Sequence, residues 1–264
     1  MSLYTFSPSL PKTAVVTGGA RRIGRTLCIA LAQAGFAVAV HYHQSADEAH
    51  ELVEQLQQLG VRAVAIAADL NDEIATRQLM TQAQAALGNI GVLINNASLF
   101  EYDALTQDAP LELSMFEKHW RTNTFAPLLL MQQLAQQLSA PQSGVVINIL
   151  DQKLHNPNPD FLSYTLSKAA LEHATTLAAQ ALAPRVRVMA IAPGLSLPSG
   201  NQTEADFAAA HAQTILQRGS TPDDVAAAML YIISAASMTG TTLLVDGGQH
   251  LGRSPRDVMF VLKS

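Results

Sequence analysis

The chain is poor in cysteine, in charge and in long apolar runs, and each shortage narrows what it can be. Cys28 is the only cysteine among 264 residues. An internal disulfide is excluded, a reducing compartment fits, and the residue reads as a small buried side chain within a helix. Charged residues make up 14% of the chain, the net charge is -5, and there is no run rich in Lys or Arg. Nucleic acid is therefore not expected as the main partner. The longest apolar stretches are strand-length or interrupted by Gln, Arg and Gly, so no membrane span is expected. Residues 1–11 lack the basic start and apolar centre of a signal peptide. Together these features point to a soluble, cytoplasmic protein.

What the chain does have is apolar residues, 48% of the total, enough to bury a large core. Short runs rich in Val, Ile and Ala recur at Ala14–Val16, Ala37–His41, Ala63–Ala67, Val92–Asn95, Val145–Leu150, Val186–Ile191 and Thr242–Val245. Most lack polar alternation, as expected of strands covered on both faces. Between them the pattern predicts helices at Ile23–Ala34, Ala46–Leu59, Glu73–Leu87, Leu111–Leu138, Asp160–Ala183 and Thr221–Ser234. Gly35 and Gly60 stand where a left-handed cap residue closes the first two. The alternation predicts an α/β fold: one doubly wound, Rossmann-type, seven-stranded parallel sheet with helices on both faces. No linker or repeat divides the chain, so a single domain over 1–264 is expected. An N-terminal arm would cover about 1–11, and a substrate-loop region about 195–217 would cover a pocket. Trp120 and the methionines read as packing, and 156–160 as the turn launching the helix that follows, with Pro159 or Asp160 near its first turn.

The segment Thr17–Gly24 follows the first strand and opens the first helix, the context a phosphate-binding turn requires. Gly18 and Gly19 let the backbone approach a pyrophosphate, and the helix N-terminus offers free N–H groups and partial positive charge. The second strand runs out into His41-Tyr42-His43-Gln44-Ser45, with no carboxylate before Asp47 to hold a ribose 2′-hydroxyl. His43 and Ser45 can instead donate to a 2′-phosphate, with Arg21 or Arg22 adding charge, which favours NADPH over NADH. In the plainer alternative, His41 and His43 are merely strand-end residues. No third ligand with suitable spacing accompanies them, so a metal site is not expected. Further on, Tyr164 and Lys168 are four apart and share one helix face. The ammonium could stabilise a phenolate and lower the tyrosine from its usual value of about 10.

With these residues in place, the chain resembles the short-chain dehydrogenase/reductase family over nearly its whole length. The resemblance rests on Thr17–Gly24, Asp69-Leu70, Asn95-Asn96-Ala97, Asn123, Tyr164 with Lys168, Pro193-Gly194 and Asp246-Gly247-Gly248. It implies that Tyr164 is the proton donor or acceptor and that Lys168 holds the nicotinamide ribose and lowers the tyrosine pKa. Asn123 would maintain a water-linked proton path. It also implies a cofactor site drawn from Gly18, Arg21, Arg22, Ile23, Gly24, His43, Gln44, Ser45, Asp69, Leu70, Asn96, Ala97, Ser98, Tyr164, Lys168, Pro193, Gly194, Leu195 and Ser196. Self-association is implied too, as a homotetramer through the helices at 111–138 and 160–183.

Two departures from the ordinary family pattern narrow the expectation. Arg22 replaces the middle glycine of the turn, and Asp151 stands thirteen residues before Tyr164, where the usual catalytic serine is expected. Both look like the pteridine reductase branch, which includes bacterial dihydromonapterin reductases. So do Asn96-Ala97-Ser98-Leu99-Phe100 and Pro193-Gly194-Leu195-Ser196. A pterin is flat and nitrogen-rich, so its site needs a stacking face, edge hydrogen bonds and a proton donor. Phe100 could stack opposite the nicotinamide, with Arg22, Ser98, Asp151 and Tyr164 as the remaining substrate residues. Asp151 could hydrogen-bond Tyr164 and help pass a proton to a ring nitrogen. The expected activity is NADPH-dependent reduction of a dihydropterin or dihydromonapterin to the tetrahydro form, with dihydrofolate as a further candidate substrate. The alternatives are a reductase of another carbonyl or imine, such as a 3-oxoacyl thioester, or a catalytically silent NADP-binding regulator.

Overall fold

The computed structural model describes residues 4–106, 109–198 and 203–261. Seven strands alternate with the helices: β1 (Thr13–Val16), α1 (Arg22–Gln33), β2 (Ala37–Tyr42), α2 (Ala46–Gln58), β3 (Ala63–Ala67), α3 (Glu73–Leu87) and β4 (Val92–Asn95). The chain then continues as α4 (Leu113–Trp120), α5 (Ala126–Gln137), β5 (Gly144–Ile149), α6 (Leu162–Leu182) and β6 (Val186–Pro193). It ends in α7 (Glu204–Ala212), α8 (Pro222–Ser234), β7 (Thr242–Val245) and a short α9 (Val258–Val261). The strands form one sheet of order β3-β2-β1-β4-β5-β6-β7, parallel throughout. The fold is the Rossmann type expected.

Successive strand residues point to opposite faces, so each strand feeds two cores. Ala14 and Val16 join one cluster, on the face of α1, α2 and α8, while Val15 joins the other, on the face of α3, α5 and α6. At β5 the same alternation sends Val145, Ile147 and Ile149 one way and Val146 the other. Both faces are buried, which is why the strands read as uninterrupted apolar runs. Strand order reverses between β1 and β4, and at such a switch point the loops leaving neighbouring strands part and open a crevice. No described helix is long and apolar enough to cross a membrane.

Three expectations need correction. The helix predicted over Leu111–Leu138 is two helices joined by a π-helical turn, Arg121–Phe125. Pro127 has no N–H to give the Asn123 carbonyl, so the α-type bond is impossible there and the backbone widens. The helix predicted from Asp160 begins at Leu162, after Phe161 in a left-handed conformation (φ 55°), so Pro159 and Asp160 lie outside it. Its first N–H groups are taken instead by Asp103: Leu162 N donates to the Asp103 carbonyl at 3.2 Å and Ser163 N to Oδ1 at 2.9 Å. Trp120, expected as packing, is 43% exposed and stacks on Phe116. Of the 195–217 stretch, α7 is helical as expected, and residues 199–202 lie outside the described residues.

Candidate active site

The loops at the C-terminal ends of β1, β2, β4, β5 and β6 enclose a groove of about 670 Å³. Its floor is the turn after β1, which is clamped from both neighbouring strands. From β2, His41 Nδ1 accepts the Gly18 N–H at 2.9 Å, and Nε2 donates to the Ala68 carbonyl at 3.0 Å. These partners assign the neutral ring its tautomer. Burial pushes the imidazole down to about 4, which keeps it in that state. From the end of β4, Asn96 Nδ2 donates to the carbonyls of Thr17 and Gly18, while Thr17 Oγ1 accepts the N–H groups of Asn96 and Ala97. Gly18 is left-handed (φ 61°), as a tight turn requires. A Cβ on Gly24 would overlap the Gly18 carbonyl and come within 2.7 Å of Asn96 Nδ2. The turn and α1 therefore meet with no space for a side chain, which is the cradle a dinucleotide pyrophosphate needs.

Arg21, His43, Gln44 and Ser45 gather at one end of this groove. Arg21 Nη1 donates to Ser45 Oγ at 3.4 Å, and Arg21 also meets Glu48 on the surface. Arg22, Ile23, Ala97, Ser98, Pro193 and Gly194 line the rest. Four expected cofactor residues lie outside its lining, Asp69 just beyond it with Oδ2 3.9 Å from His43 Nε2. Asp69 Oδ1 accepts the Asn71 N–H in its own turn, and Leu70 is packed in the core. Leu195 and Ser196 lie beyond the groove in a second cavity of about 300 Å³, where Ser196 Oγ bonds Ser220 Oγ at 2.7 Å. Arg22, Ile23, Phe100, Asp151 and Gly194 line both spaces.

Where the two spaces meet, Tyr164 OH donates to Asp151 Oδ2 at 2.7 Å, and Asp151 Oδ1 accepts the Lys153 N–H at 2.8 Å. Burial raises the Asp151 carboxyl, against the lowering effect of these two donors. Burial, and next the neighbouring Asp151, raise the tyrosine well above its ordinary value. This reverses the expectation that Lys168 lowers the tyrosine. Lys168 Nζ donates to the Ile149 carbonyl at 2.7 Å, and burial pushes its ammonium down to about 8 although Asp151 opposes the change. The charge bonded to the phenol is thus an acid, and the pair holds its proton tightly.

Asn123 lies in the π-turn with its amide fully used. Nδ2 donates to the Leu99 carbonyl at 2.9 Å and to Ser167 Oγ at 3.0 Å, and Oδ1 accepts the Leu99 N–H at 2.8 Å. It thereby fixes the loop that carries Phe100. One face of the Phe100 ring stacks on Phe161 (4.1 Å between centroids), and the ring meets Tyr164 edge-on at 4.7 Å. It remains 40% exposed to both spaces. Arg22, left-handed at φ 53°, donates to the Pro198 carbonyl at 3.0 Å and reaches both spaces as well.

Several residues that build the site had not been singled out for it. His41 carried the signal of lying in a strand with a buried centre, where a polar side chain needs partners. Asp103 and Asp257 carried none, because their partners are remote in sequence, and the pairing of Lys153 with Asp257 spans 104 residues.

A dinucleotide cradle at the switch point and a buried Tyr–Lys pair above it define a nucleotide-dependent oxidoreductase. The family profile described as short chain dehydrogenase matches residues 12–207, and the chain belongs to the short-chain dehydrogenase/reductase family. Among solved structures it is similar to FolM alternative dihydrofolate reductase 1 from Brucella canis complexed with NADP. That match has TM-score 0.89 and 38% identity, covering 95% of this chain and 99% of that one. The Brucella suis counterpart, also in complex with NADP, matches with TM-score 0.87 and 40% identity over 93% and 97% of the two chains. The uncharacterized oxidoreductase MT0954 of Mycobacterium tuberculosis is 37% identical over 90% of this chain and 91% of its own. A 3-oxoacyl-acyl-carrier-protein reductase FabG of Staphylococcus epidermidis is 30% identical over 91% and 99%.

Proposed function

We propose that the protein is an NADPH-dependent reductase of a pteridine, taking a dihydropterin or dihydromonapterin to the tetrahydro form, with dihydrofolate as a further substrate. The observation that carries this reading is the Tyr164–Asp151 hydrogen bond in a family whose usual partner there is serine. A carboxylate cannot donate to a ketone oxygen, but a Tyr–Asp pair that holds a proton can deliver it to a ring nitrogen. The likeness to FolM structures bound to NADP supports the same reading.

The bound nicotinamide would supply the hydride that reduces the ring carbon of the C=N bond. Tyr164 donates the proton that the adjacent nitrogen gains, and Asp151 keeps the phenol oriented and protonated until then. Lys168, fixed by the Ile149 carbonyl, holds the nicotinamide ribose. Gly18, Ile23, Gly24 and the start of α1 hold the pyrophosphate, and Arg21, His43, Gln44 and Ser45 hold the 2′-phosphate. Asn96, Ala97, Ser98, Pro193 and Gly194 line the nicotinamide side. Phe100 and Arg22 bind the substrate ring, and Asn123 acts by fixing the loop that presents Phe100. Much of the rate enhancement then comes from holding the reacting atoms in register. The assembly is a homotetramer.

The test is NADPH oxidation with dihydrobiopterin, dihydromonapterin, dihydrofolate and an acetoacetyl thioester side by side, in the native protein and in Asp151→Ser. Pterin turnover that drops about 100-fold or more in the variant is expected, the range for losing a positioned proton donor. Activity on the thioester alone, unharmed or improved by the serine, would replace this reading with the ketone-reductase one.

A further inference from the structure

The C-terminal segment folds back onto its own subunit and walls the substrate cavity. Arg253, Ser254, Arg256, Asp257, Val258 and Met259 line the same cavity as Asp151 and Phe100. The segment is fastened at two points. Arg256 grips the buried Asp160 with Nε at 2.9 Å and Nη2 at 2.8 Å, and the Asp257 N–H adds a bond to Asp160 Oδ2 at 2.7 Å. Phe260 packs on Tyr102 and, more distantly, on Phe161. This clasp sets Asp257 against Lys153, whose Nζ donates to Asp257 Oδ2 at 3.2 Å and to Asn158 Oδ1 at 2.6 Å.

Lys153 therefore faces two carboxylates at once. Its backbone N–H holds Asp151 and its ammonium, 3% exposed, holds Asp257. A buried ammonium needs a charged partner, and Asp151 is the other carboxylate on that cavity. We propose that Asp257 is a positioning residue: by holding the Lys153 ammonium, it keeps that cation off Asp151 and leaves Asp151 as the partner of Tyr164. The remaining charged and titratable groups around Asp151 are Tyr164 and Lys168 on α6, Arg22 on α1, and Arg253 and Arg256 on the tail. Asp257 raises the proton affinity of Asp151 and of Tyr164, whereas Lys153 lowers that of Asp151.

This inference rests on Asp151 and Tyr164 acting as the proton-holding pair. Removing the Asp257 charge and leaving Lys153 uncompensated both weaken the hold of Asp151 on its proton. In Asp257→Asn the pH above which kcat falls moves down by about one unit or more, the size expected when a cation becomes the close neighbour of a carboxyl. In Lys153→Met it moves up, and in the double variant it returns to the wild-type position. All profiles are measured on full-length enzyme saturated with NADPH, using whichever substrate of the panel is turned over. A wrong substrate assignment thus leaves the test intact. An unchanged profile in Asp257→Asn, or a double variant displaced as far as that single one, overturns the proposal. If Asp257→Asn fails to fold, the double variant, which leaves no buried ammonium unpaired, decides it against Lys153→Met: a profile as far above the wild-type position as in Lys153→Met overturns the proposal. An Asp151→Asn enzyme with undiminished kcat would instead overturn the reading on which the inference rests.

Discussion

His41 holds the backbone of Gly18 from the neighbouring strand, its Nδ1 accepting the Gly18 N–H at 2.9 Å. Only a neutral ring can do this, because a protonated one has no lone pair to offer. The ring titrates at about 4 in the fold against about 6.5 when free, so its folded-state value is depressed. The contribution to stability is complete above about 6.5 and is lost as pH falls towards 4, with a size on the order of 3 kcal/mol. Chemical denaturation from pH 7.5 to 4 should show this loss in the native protein. His41→Leu, already less stable at pH 7 by about 1–3 kcal/mol for the unpaired Gly18 and Ala68 groups, should lack that part of the slope. Parallel slopes in the two proteins would contradict it.

Gly24→Ala should abolish cofactor binding more thoroughly than it unfolds the chain. The added methyl has no space between the Gly18 carbonyl and Asn96. The turn must open, and its N–H groups no longer converge on one anion. Fluorescence titration with NADPH should give a Kd at least tenfold weaker, a loss of about 1.4 kcal/mol or more. A variant binding as tightly as the native protein would show that the turn accommodates the methyl at no cost.

Lys168→Met should separate activity from stability. A lysine that titrates at about 8 in the fold and about 10.5 outside it destabilises the fold at pH 7, and the penalty fades as pH rises through 8 towards 10.5. The charge costs on the order of 3 kcal/mol at neutral pH. Leaving the Ile149 carbonyl without its donor gives back about 1–3 of that. The variant is expected to be inactive with a Tm equal to or a few degrees above the native value at pH 7. A large fall in Tm would mean the ammonium is needed to hold the site together.

The proposed homotetramer has a candidate surface. Leu113 on α4, Leu128 on α5 and Leu166 and Leu177 on α6 are exposed apolar side chains, with Leu177 at 54%. Buried against a second copy, the half of Leu177 still exposed would contribute about 1 kcal/mol per subunit. Leu177→Glu should therefore shift the species seen by light scattering from tetramer to a smaller form. A native protein that is monomeric at micromolar concentration would refute the assembly outright.

The sheet was almost wholly legible because its strands are buried on both faces. β3, β4 and β7 have the bounds that their apolar runs mark out, and α3 matches residue for residue. Gly35 and Gly60 are left-handed (φ 84° and 85°), as their places after α1 and α2 suggest. What was not legible depends on distant partners. Phe161 can be left-handed at the start of α6 because Asp103, sixty residues earlier, takes the next two N–H groups. The tail's place is decided by Asp160 and Lys153, about a hundred residues before it. The break at Pro127 was visible in principle, but a proline in a helix's first turn is usually harmless. The anchoring of Lys168 on the Ile149 carbonyl depends on the backbone of β5, which i,i+4 spacing does not reveal.

Arg22, Ile23, Phe100, Asp151 and Gly194 belong to the groove and to the cavity at once. Whichever ligand arrives first completes a wall for the other, so the two affinities are linked. By thermodynamic reciprocity, the factor by which the dinucleotide tightens the substrate equals the factor by which the substrate tightens the dinucleotide. Product release is subject to the same bond. The spent cofactor and the reduced product leave a shared surface, and each one's departure loosens the hold on the other.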